Sequence, residues 1–544
     1  MGTITKSTDD GSVLLLVSSL MENTGAHGIP NIKRAGTPLR RIIWATLFVV
    51  SLTLFTIQSR QLIITYTNYD VDVNFEIAYQ NEVDFPAVTI CNMNPIKLSF
   101  LLADEDLRLL FYAENNDEDE RNESEGSLAT STPTTTNNTT RTKTGGYSDW
   151  DDTDYTSESS LYNQILLARD IVADMPYRRR YDTGHFLRDM LLSCSYSGYP
   201  CSPANFTQFY NYRYGNCYTF VGRNSSYEQL KVTKAGPLYG LSLELFIEQH
   251  EYVGNIQPSA GIRILVHPHN VMPFPEDNGV SVSPGQETSI GIKRIKVSHI
   301  PHPYSKCIPV DNLESDNVFL RQFPGIIYNK DTCEKSCLYH ELLSRCNCSE
   351  PRYRYNISDG DICWSNNDFE NKCIEDIENQ YVNGDLRNVA STCNSPCTET
   401  SYEPTVSASV WPNQYHRDTV VETMLKTDTL SHLCEDDDYD SFIQNNFAKV
   451  LVFFNELNYD NIYDTEKYLW YDLLSDLGGQ FGLWIGVSVL TVFEFVELMY
   501  DIFLILLYKS RDVCISRKKA NKQVVDESRK TPVFAFEATN DVIM

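Results

Sequence analysis

Three carboxylates, Glu494, Glu497 and Asp501, stand at i, i+3 and i+7 inside an apolar run, and that spacing puts them on one stripe of a helix. A carboxylate at mid-bilayer costs about 2.5–3.5 kcal/mol on insertion scales, so the stripe is expected to face protein or water rather than lipid, the alternative being that Asp501 and Glu497 snorkel from the inner end of an anchor helix. Just upstream lies Gly486-Val487-Ser488. Glycine permits close backbone approach and a break in helical geometry, and serine offers its oxygen to a freed backbone group or to an ion. Carbonyls and hydroxyls at a narrow point can replace the water around a cation, and carboxylates below them concentrate cations. The constellation is that of a cation pathway. Catalytic chemistry finds no footing: there is no phosphate loop, no His-Glu-x-x-His and no nucleophile elbow, and "YHELL" lacks the second histidine. No catalytic residue, metal ligand or cofactor is expected.

These groups need elements that carry them through a bilayer, and two apolar segments qualify. "RRIIWATLFVVSLTLFTIQ" holds a charge-free run of 16 residues, Ile42 to Ile57, which is extendable through Gln58 to Ile64 past Arg60. A bilayer asks for roughly 20. The second run, Phe481 to Leu507, is long enough even when tilted. The spans are expected at 41–64 and 476–508. Lys33, Arg34, Arg40 and Arg41 precede the first, and Lys509, Arg511, Arg517, Lys518 and Lys519 follow the second. The positive-inside rule therefore places 1–40 and 509–544 in the cytoplasm and 65–475 outside, as in a multi-pass plasma-membrane protein in contact with lipid. "SVLLLVSSL" has the length of a signal-peptide core, but Asp9 and Asp10 stand where basic residues belong, so no cleavage is expected.

Fourteen of the fifteen cysteines, Cys91 to Cys434, lie between the spans, and Cys514 lies beyond them on the reducing side. The sequons at Asn122, Asn137, Asn138, Asn205, Asn224, Asn347 and Asn356 fall in the same region, as glycosylation in the secretory lumen requires. The formal charge of −28 argues against nucleic acid and favours cationic partners. A triphosphate-gated channel would need clustered lysines, and none occurs.

Within the outer region, "FEIAYQNEVDFPAVTIC" reads as extended chain entering a disulfide at Cys91. Residues 113–160 turn acidic and Ser/Thr-rich, with too few apolar residues to bury, and are expected as a solvated loop. A helical pattern over Leu161 to Leu192 follows. "LSLELFIE" puts Leu241, Leu243, Leu245 and Ile247 on one face of a strand, "GIRILVHP" does the same with Ile262, Ile264 and Val266, and "AKVLVFFNELNY" reads as a strand leading toward the second span. Cys333 to Cys397 is helical in places and dense in cysteine. Because two helices cannot enclose a pore, copies of the chain are expected to form a small ring.

Several stretches carry a family resemblance: "AHGIPNI", "FPAVTICN", "AGIRILVHPHNVMPFPEDNGVSVSPG" and "DLGGQFGLWIGVSVLTVFE". Together they resemble the degenerin, epithelial sodium channel and acid-sensing ion channel superfamily. The resemblance implies an α+β membrane protein with two transmembrane helices and a large disulfide-rich extracellular domain of palm, β-ball, finger, thumb and knuckle, assembled as a homotrimer. It implies sodium ions as cargo, an amiloride-type pore blocker, and Gly486, Val487 and Ser488 as the selectivity filter, where Val487 departs from the usual Gly-Ala-Ser. His27 and Gly28 match a gating motif at the cytoplasmic mouth. Ser475 matches the position where bulky residues hold relatives open, and Tyr69 with Tyr304 matches an aromatic contact that couples thumb to pore.

The resemblance also implies the disulfides Cys91–Cys217, Cys194–Cys201, Cys307–Cys397, Cys333–Cys393, Cys346–Cys373 and Cys348–Cys363. It gives Cys337 no partner and leaves Cys434 over, so these two are expected to pair. Several features resemble channels opened by FMRFamide-type neuropeptides, cationic ligands that an acidic outer domain would steer. Proton gating and constitutive opening are the alternatives within the family, and Asp70 after Tyr69 replaces the histidine of acid-sensing relatives. The ligand-binding residues stay unknown, with the Leu161 to Leu192 helices and "YRRRY" as a starting place. An adhesion protein or an ectoenzyme is the reading from a different class.

Overall fold

The computed structural model describes residues 28–507 apart from 113–151, 222–229, 254–255, 310–316, 324, 354–360, 387–392, 426–438, 487, 489–490, 492 and 494, together with Ser18 and Glu22. The chain divides into two compact units, one formed by residues 1–72 with 466–544 and the other by 73–465.

The larger unit is built on two sheets. In the seven-stranded sheet, β13 (Thr398–Val410), β12 (Gln286–Ser298), β14 (Phe447–Glu466), β9 (Leu241–Phe246), β4 (Leu191–Tyr196) and β5 (Tyr199–Pro200) are neighbours in that order, and β1 (Val71–Ala78) pairs with β14. β12 and β14 run parallel, and the other neighbours with a given register are antiparallel. The five-stranded sheet orders β11 (Val280–Val282), β10 (Ile262–His267), β3 (Ala87–Asn92), β7 (Gly215–Phe220) and β6 (Phe206–Asn211), all antiparallel. A two-stranded pair, β2 (Val83–Asp84) with β8 (Lys231–Val232), stands apart.

Alternation explains why these strands stack. Leu241, Leu243, Leu245 and Ile247 are fully buried while Ser242 and Glu244 are not, so β9 turns one face to the core. The two sheets share that core, with Val88, Ile90, Ile262 and Ile264 meeting Leu243, Ile290, Val450 and Val452. Each fully buried aliphatic side chain contributes roughly 1.5–3 kcal/mol, which makes this cluster the main store of stability in the unit. β3 and β7 are buried on both faces and are stapled by Cys91–Cys217, whose residues lie directly opposite each other with Cα atoms 4.4 Å apart.

Helices cover the sheets. α3 (Asp152–Asp174) begins inside the stretch expected as loop, so the solvated insertion ends earlier than 160. Its buried Ala168 and Val172 pack on Ile96, Leu101 and Leu107. The helical region also ends sooner than expected: two short helices, Tyr177–Thr183 and Leu187–Met190, follow, and Leu191 and Leu192 already belong to β4, where Leu191 pairs with Leu245 of β9 and Leu192 sits at an irregularity of the ladder. α4 (Lys330–Cys346) starts on Asn329, whose side chain accepts from Thr332 N–H, and stops where Asn347 adopts a left-handed φ of 57°. That cap satisfies one of the orphan donors of the first turn. α4 is pinned to α5 (Asp368–Val382) by Cys346–Cys373, to the following loop by Cys333–Cys393, and the connection between them is closed by Cys348–Cys363. Cys194–Cys201 and Cys307–Cys397 complete the six disulfides among the described residues. Cys434 lies outside them, as do Asn122, Asn137, Asn138, Asn224 and Asn356, whereas Asn205 and Asn347 are exposed.

The smaller unit contains α1 (Ile29–Arg34), α2 (Pro38–Thr67) and α6 (Trp470–Gln480). α2 runs straight past Arg60 and is, among the described residues, the one helix long and apolar enough to cross a membrane. Ile42, Val49 and Ile57 stand exposed on it, while Leu54, Phe55, Gln58, Ser59, Leu62 and Tyr66 form a covered stripe at helical spacing. The second apolar segment is not one uninterrupted helix. α6 gives way to a π-helical turn over Phe481–Ile485, Gly486 turns left-handed at φ 72°, and the described residues between 491 and 507 are helical again.

Candidate functional site

The break in the second segment follows from its sequence. A helix that reaches Gly478-Gly479 and then Gly482 gains little from side-chain packing, and Gly486 adopts without steric penalty a φ that a Cβ would resist. The Gly486 N–H still bonds to Phe481 O, closing the wide turn. Beyond it, Ser488 restarts the helix. Thr491 N–H donates to Ser488 Oγ at 3.4 Å, Ser488 N–H donates to Thr491 Oγ1 at 3.3 Å, and the two hydroxyls are 3.3 Å apart. This reciprocal cap has the form of a capping box. A break of this kind inside a bilayer is tolerable only where the backbone groups it frees face protein or water.

The expected site residues map onto this frame as follows. Gly486 is half-buried and Ser488 exposed. Val487 and Glu494 lie outside the described residues. Glu497 is exposed and Asp501 half-buried, both on the helical stretch 491–507. Ser475 is exposed on α6. Gly28 heads α1 at φ 105°, and a Cβ there would come within 3.0 Å of Phe48 Cδ2 of α2, so only glycine lets α1 lie so close. His27 lies outside the described residues. Tyr69 ends α2 in a left-handed conformation, and Tyr304 sits half-buried in the larger unit before Cys307.

The larger unit holds polar chemistry that pattern reading did not find. His185, wholly buried, meets Glu248 Oε2 at 2.7 Å through Nδ1 and Asn94 Nδ2 at 3.0 Å through Nε2, and Lys97 Nζ reaches Glu248 Oε1 at 2.9 Å. Burial drives the imidazole pKa down, and the Glu248 contact does not outweigh it. For Glu248 burial acts upward, but hydrogen bonds from His185 and Lys97 hold the carboxyl below its usual range. The group joins a buried histidine to a Glu–Lys ion pair.

A second polar group lines a cavity of about 430 Å³ between α3, β6 and the α4–α5 connection. Glu350 is buried there with Arg352, which also pairs with Glu378, and Asp170 accepts from Ser365 N–H at 2.9 Å. Burial pushes the Glu350 carboxyl up to about 7 despite Arg352, with Glu378 adding to the rise. A larger cavity of about 620 Å³ is lined by His267, Met272, Phe274, Asp331, Glu399 and Tyr402, and burial raises both of its carboxyls. No sequence signal marks either group, because their members come from elements far apart in the chain.

Comparison with known proteins bears on the whole of this arrangement. The profile of one family, described as amiloride-sensitive sodium channel, matches residues 20–498. The epithelial sodium channel subunit beta-2 of Xenopus laevis is 28% identical, over 90% of this chain and 83% of its own length. The degenerin-like protein asic-2 of Caenorhabditis elegans is 28% identical over 87% and 83%. The FMRFamide-activated amiloride-sensitive sodium channel of Cornu aspersum is 25% identical over 90% and 84%.

Proposed function

The chain belongs to the amiloride-sensitive sodium channel family, whose members are ion channels and not enzymes, and from that premise we propose that it is a subunit of a plasma-membrane sodium channel opened by a short amidated peptide. The observation that carries the conduction part is the break at Gly486 with its Ser488 restart. A left-handed turn and a hydroxyl cap interrupt there an apolar segment that continues into Glu497 and Asp501, and in this reading the interruption turns backbone and hydroxyl oxygens toward the ion path. Gly486, Val487 and Ser488 act as the filter, and Glu494, Glu497 and Asp501 draw cations toward the inner mouth. Three copies close the ring, each with α2 and the second segment as its two spans and both termini cytoplasmic. His27 with Gly28 acts at the inner mouth, Ser475 at the gate, and Tyr69 with Tyr304 in coupling. The Cys337–Cys434 bridge and glycans on the seven sequons belong to the same reading. Relatives that are named alpha and beta subunits make a mixed ring the alternative to a homotrimer.

Peptide gating rests on the likeness to the FMRFamide-activated relative and on charge: a chain of −28 attracts ligands that carry an arginine and an amidated end. Acid gating has one observation in its favour, the Glu350 carboxyl lifted to about 7. The test is to express the chain alone under voltage clamp and apply acid, then amidated peptides. A peptide-evoked, amiloride-blocked sodium current is expected, and acid-evoked current without a peptide response reverses the ranking. Gly486→Ala is expected to bring the sodium-to-potassium permeability ratio toward unity. An unchanged ratio removes the filter from this place.

A further inference from the structure

The two apolar segments meet through a small polar cluster at one level. Trp484, in the π-helical turn, donates its Nε1–H to Gln58 Oε1 of α2 at 2.7 Å and to Gln480 Oε1 at 2.9 Å. Beside it, the Phe55 and Phe481 rings are 4.4 Å apart between centroids. Ser59, next to Gln58, is the one residue of α2 that is buried, and its Oγ has no hydrogen-bond partner among the described residues. Gly486 and its left-handed turn come two residues after Trp484.

Apolar contacts between helices in lipid have weak orientational preference, because the tails are as apolar as the side chains, and hydrogen bonds and close packing set the rotation. The indole bond is such a constraint. It also sits within the unusual turn. A π turn holds one residue more than an α turn, so relaxing it to α geometry rotates everything beyond it by about one residue, roughly 100°. That rotation would carry Ser488, Glu497 and Asp501 to a different face.

We propose that Trp484 is a positioning residue for conduction: its indole, held by Gln58 and Gln480, locks the wide turn against α2 and so sets which face the segment beyond Gly486 presents. The proposal rests on the reading that this segment lines the ion path. Losing the lock shifts the balance between conducting and non-conducting arrangements.

The experiment uses the full chain at the cell surface, with surface copies counted and the midpoint of activation measured for whichever stimulus, amidated peptide or acid, opens it. Three variants each remove one part of the lock: Trp484→Phe, Gln58→Leu, and benzothienylalanine placed at 484 by nonsense suppression, which keeps the ring shape and loses only the N–H donor. Each is expected to move the midpoint in the same direction by about 3- to 15-fold, the range that one interhelical hydrogen bond in lipid supports. Trp484→Phe combined with Gln58→Leu is expected to move it no further than either alone. Multiplying effects in the double variant, or a benzothienylalanine channel that gates as the unaltered one does, overturns the lock. A fall in surface copies with an unmoved midpoint also overturns it, since that is what mere packing predicts. An unaltered chain that reaches the surface and passes no sodium current under any stimulus sinks the conduction reading itself, and the lock with it.

Discussion

The two units hold themselves together by different means. In the larger one, a shared core of fully buried aliphatic residues is reinforced by six disulfides among the described residues, and the buried Glu248 carboxyl is paired with Lys97 at 2.9 Å. In the smaller one, α2 buries a single residue, and among the described residues its covered stripe meets the C-terminal elements through contacts that include Phe55 with Phe481, Tyr66 with Tyr468 and the Gln58–Trp484 hydrogen bond. The first is made to keep its shape. The second has little to lose by changing its own, and the chain places its helix break there. Motion belongs where contacts are few.

That contrast can be broken or sharpened by substitution, and the largest effect is expected from its strongest staple. Changing Cys91 and Cys217 together to Ser releases a link between residues 126 apart and should cost about 2–5 kcal/mol, enough to keep the protein from the surface. Surface biotinylation at normal levels would falsify the idea that this unit depends on it. Next, Leu243→Ala should lower the unfolding midpoint of the purified chain by the equivalent of about 3–4 kcal/mol, while Ile57→Ala, on the exposed side of α2, costs almost nothing. Similar losses at both sites would erase the distinction.

A third change reverses the sense. Ser475→Trp places bulk on the exposed face of α6 and is expected to raise resting sodium current about tenfold while leaving thermal stability alone, a shift of the order that a small bias in a two-state balance produces. Resting current at the unaltered level, with normal surface copies, argues that α6 does not move in gating.

The smallest effect concerns pH. Because the folded protein holds the Glu350 carboxyl at about 7, above the ordinary carboxylate value, folded chains bind this proton more tightly than unfolded ones. Stability from this group is present at low pH and is lost as pH rises from the usual carboxylate range through about 7. Glu350→Gln should flatten that slope, read as melting midpoints at pH 4.5 to 7.5. A slope that survives the substitution assigns it elsewhere.

The strands were legible because local alternation and burial agree: the register that buries Leu241, Leu243 and Leu245 is the one their spacing announces. α3 was legible only in part. Its first turns, from Asp152, are too polar to display an apolar stripe, so composition read them as loop. In the second apolar segment the residue types announced a break, since Gly486 and Ser488 are out of place in an anchor, and the helix is interrupted there. The wide turn and the Ser488–Thr491 cap were not visible, because hydropathy averages over them. Trp484 and Gln58 stand 426 residues apart, and His185 and Glu248 stand 63 apart. No local pattern joins such pairs, and only the folded chain does.

One dimension of α2 carries a further consequence. Its 30 residues make a rod of about 45 Å, against roughly 30 Å of hydrocarbon, so it must lean or push a turn into the headgroups. A thicker, sterol-rich bilayer absorbs part of that surplus and lets the rod stand straighter. With α2 as a span, bilayer thickness, and so sterol content, joins the packing of neighbouring helices in setting its inclination, at fractions of a kcal/mol per Å of mismatch.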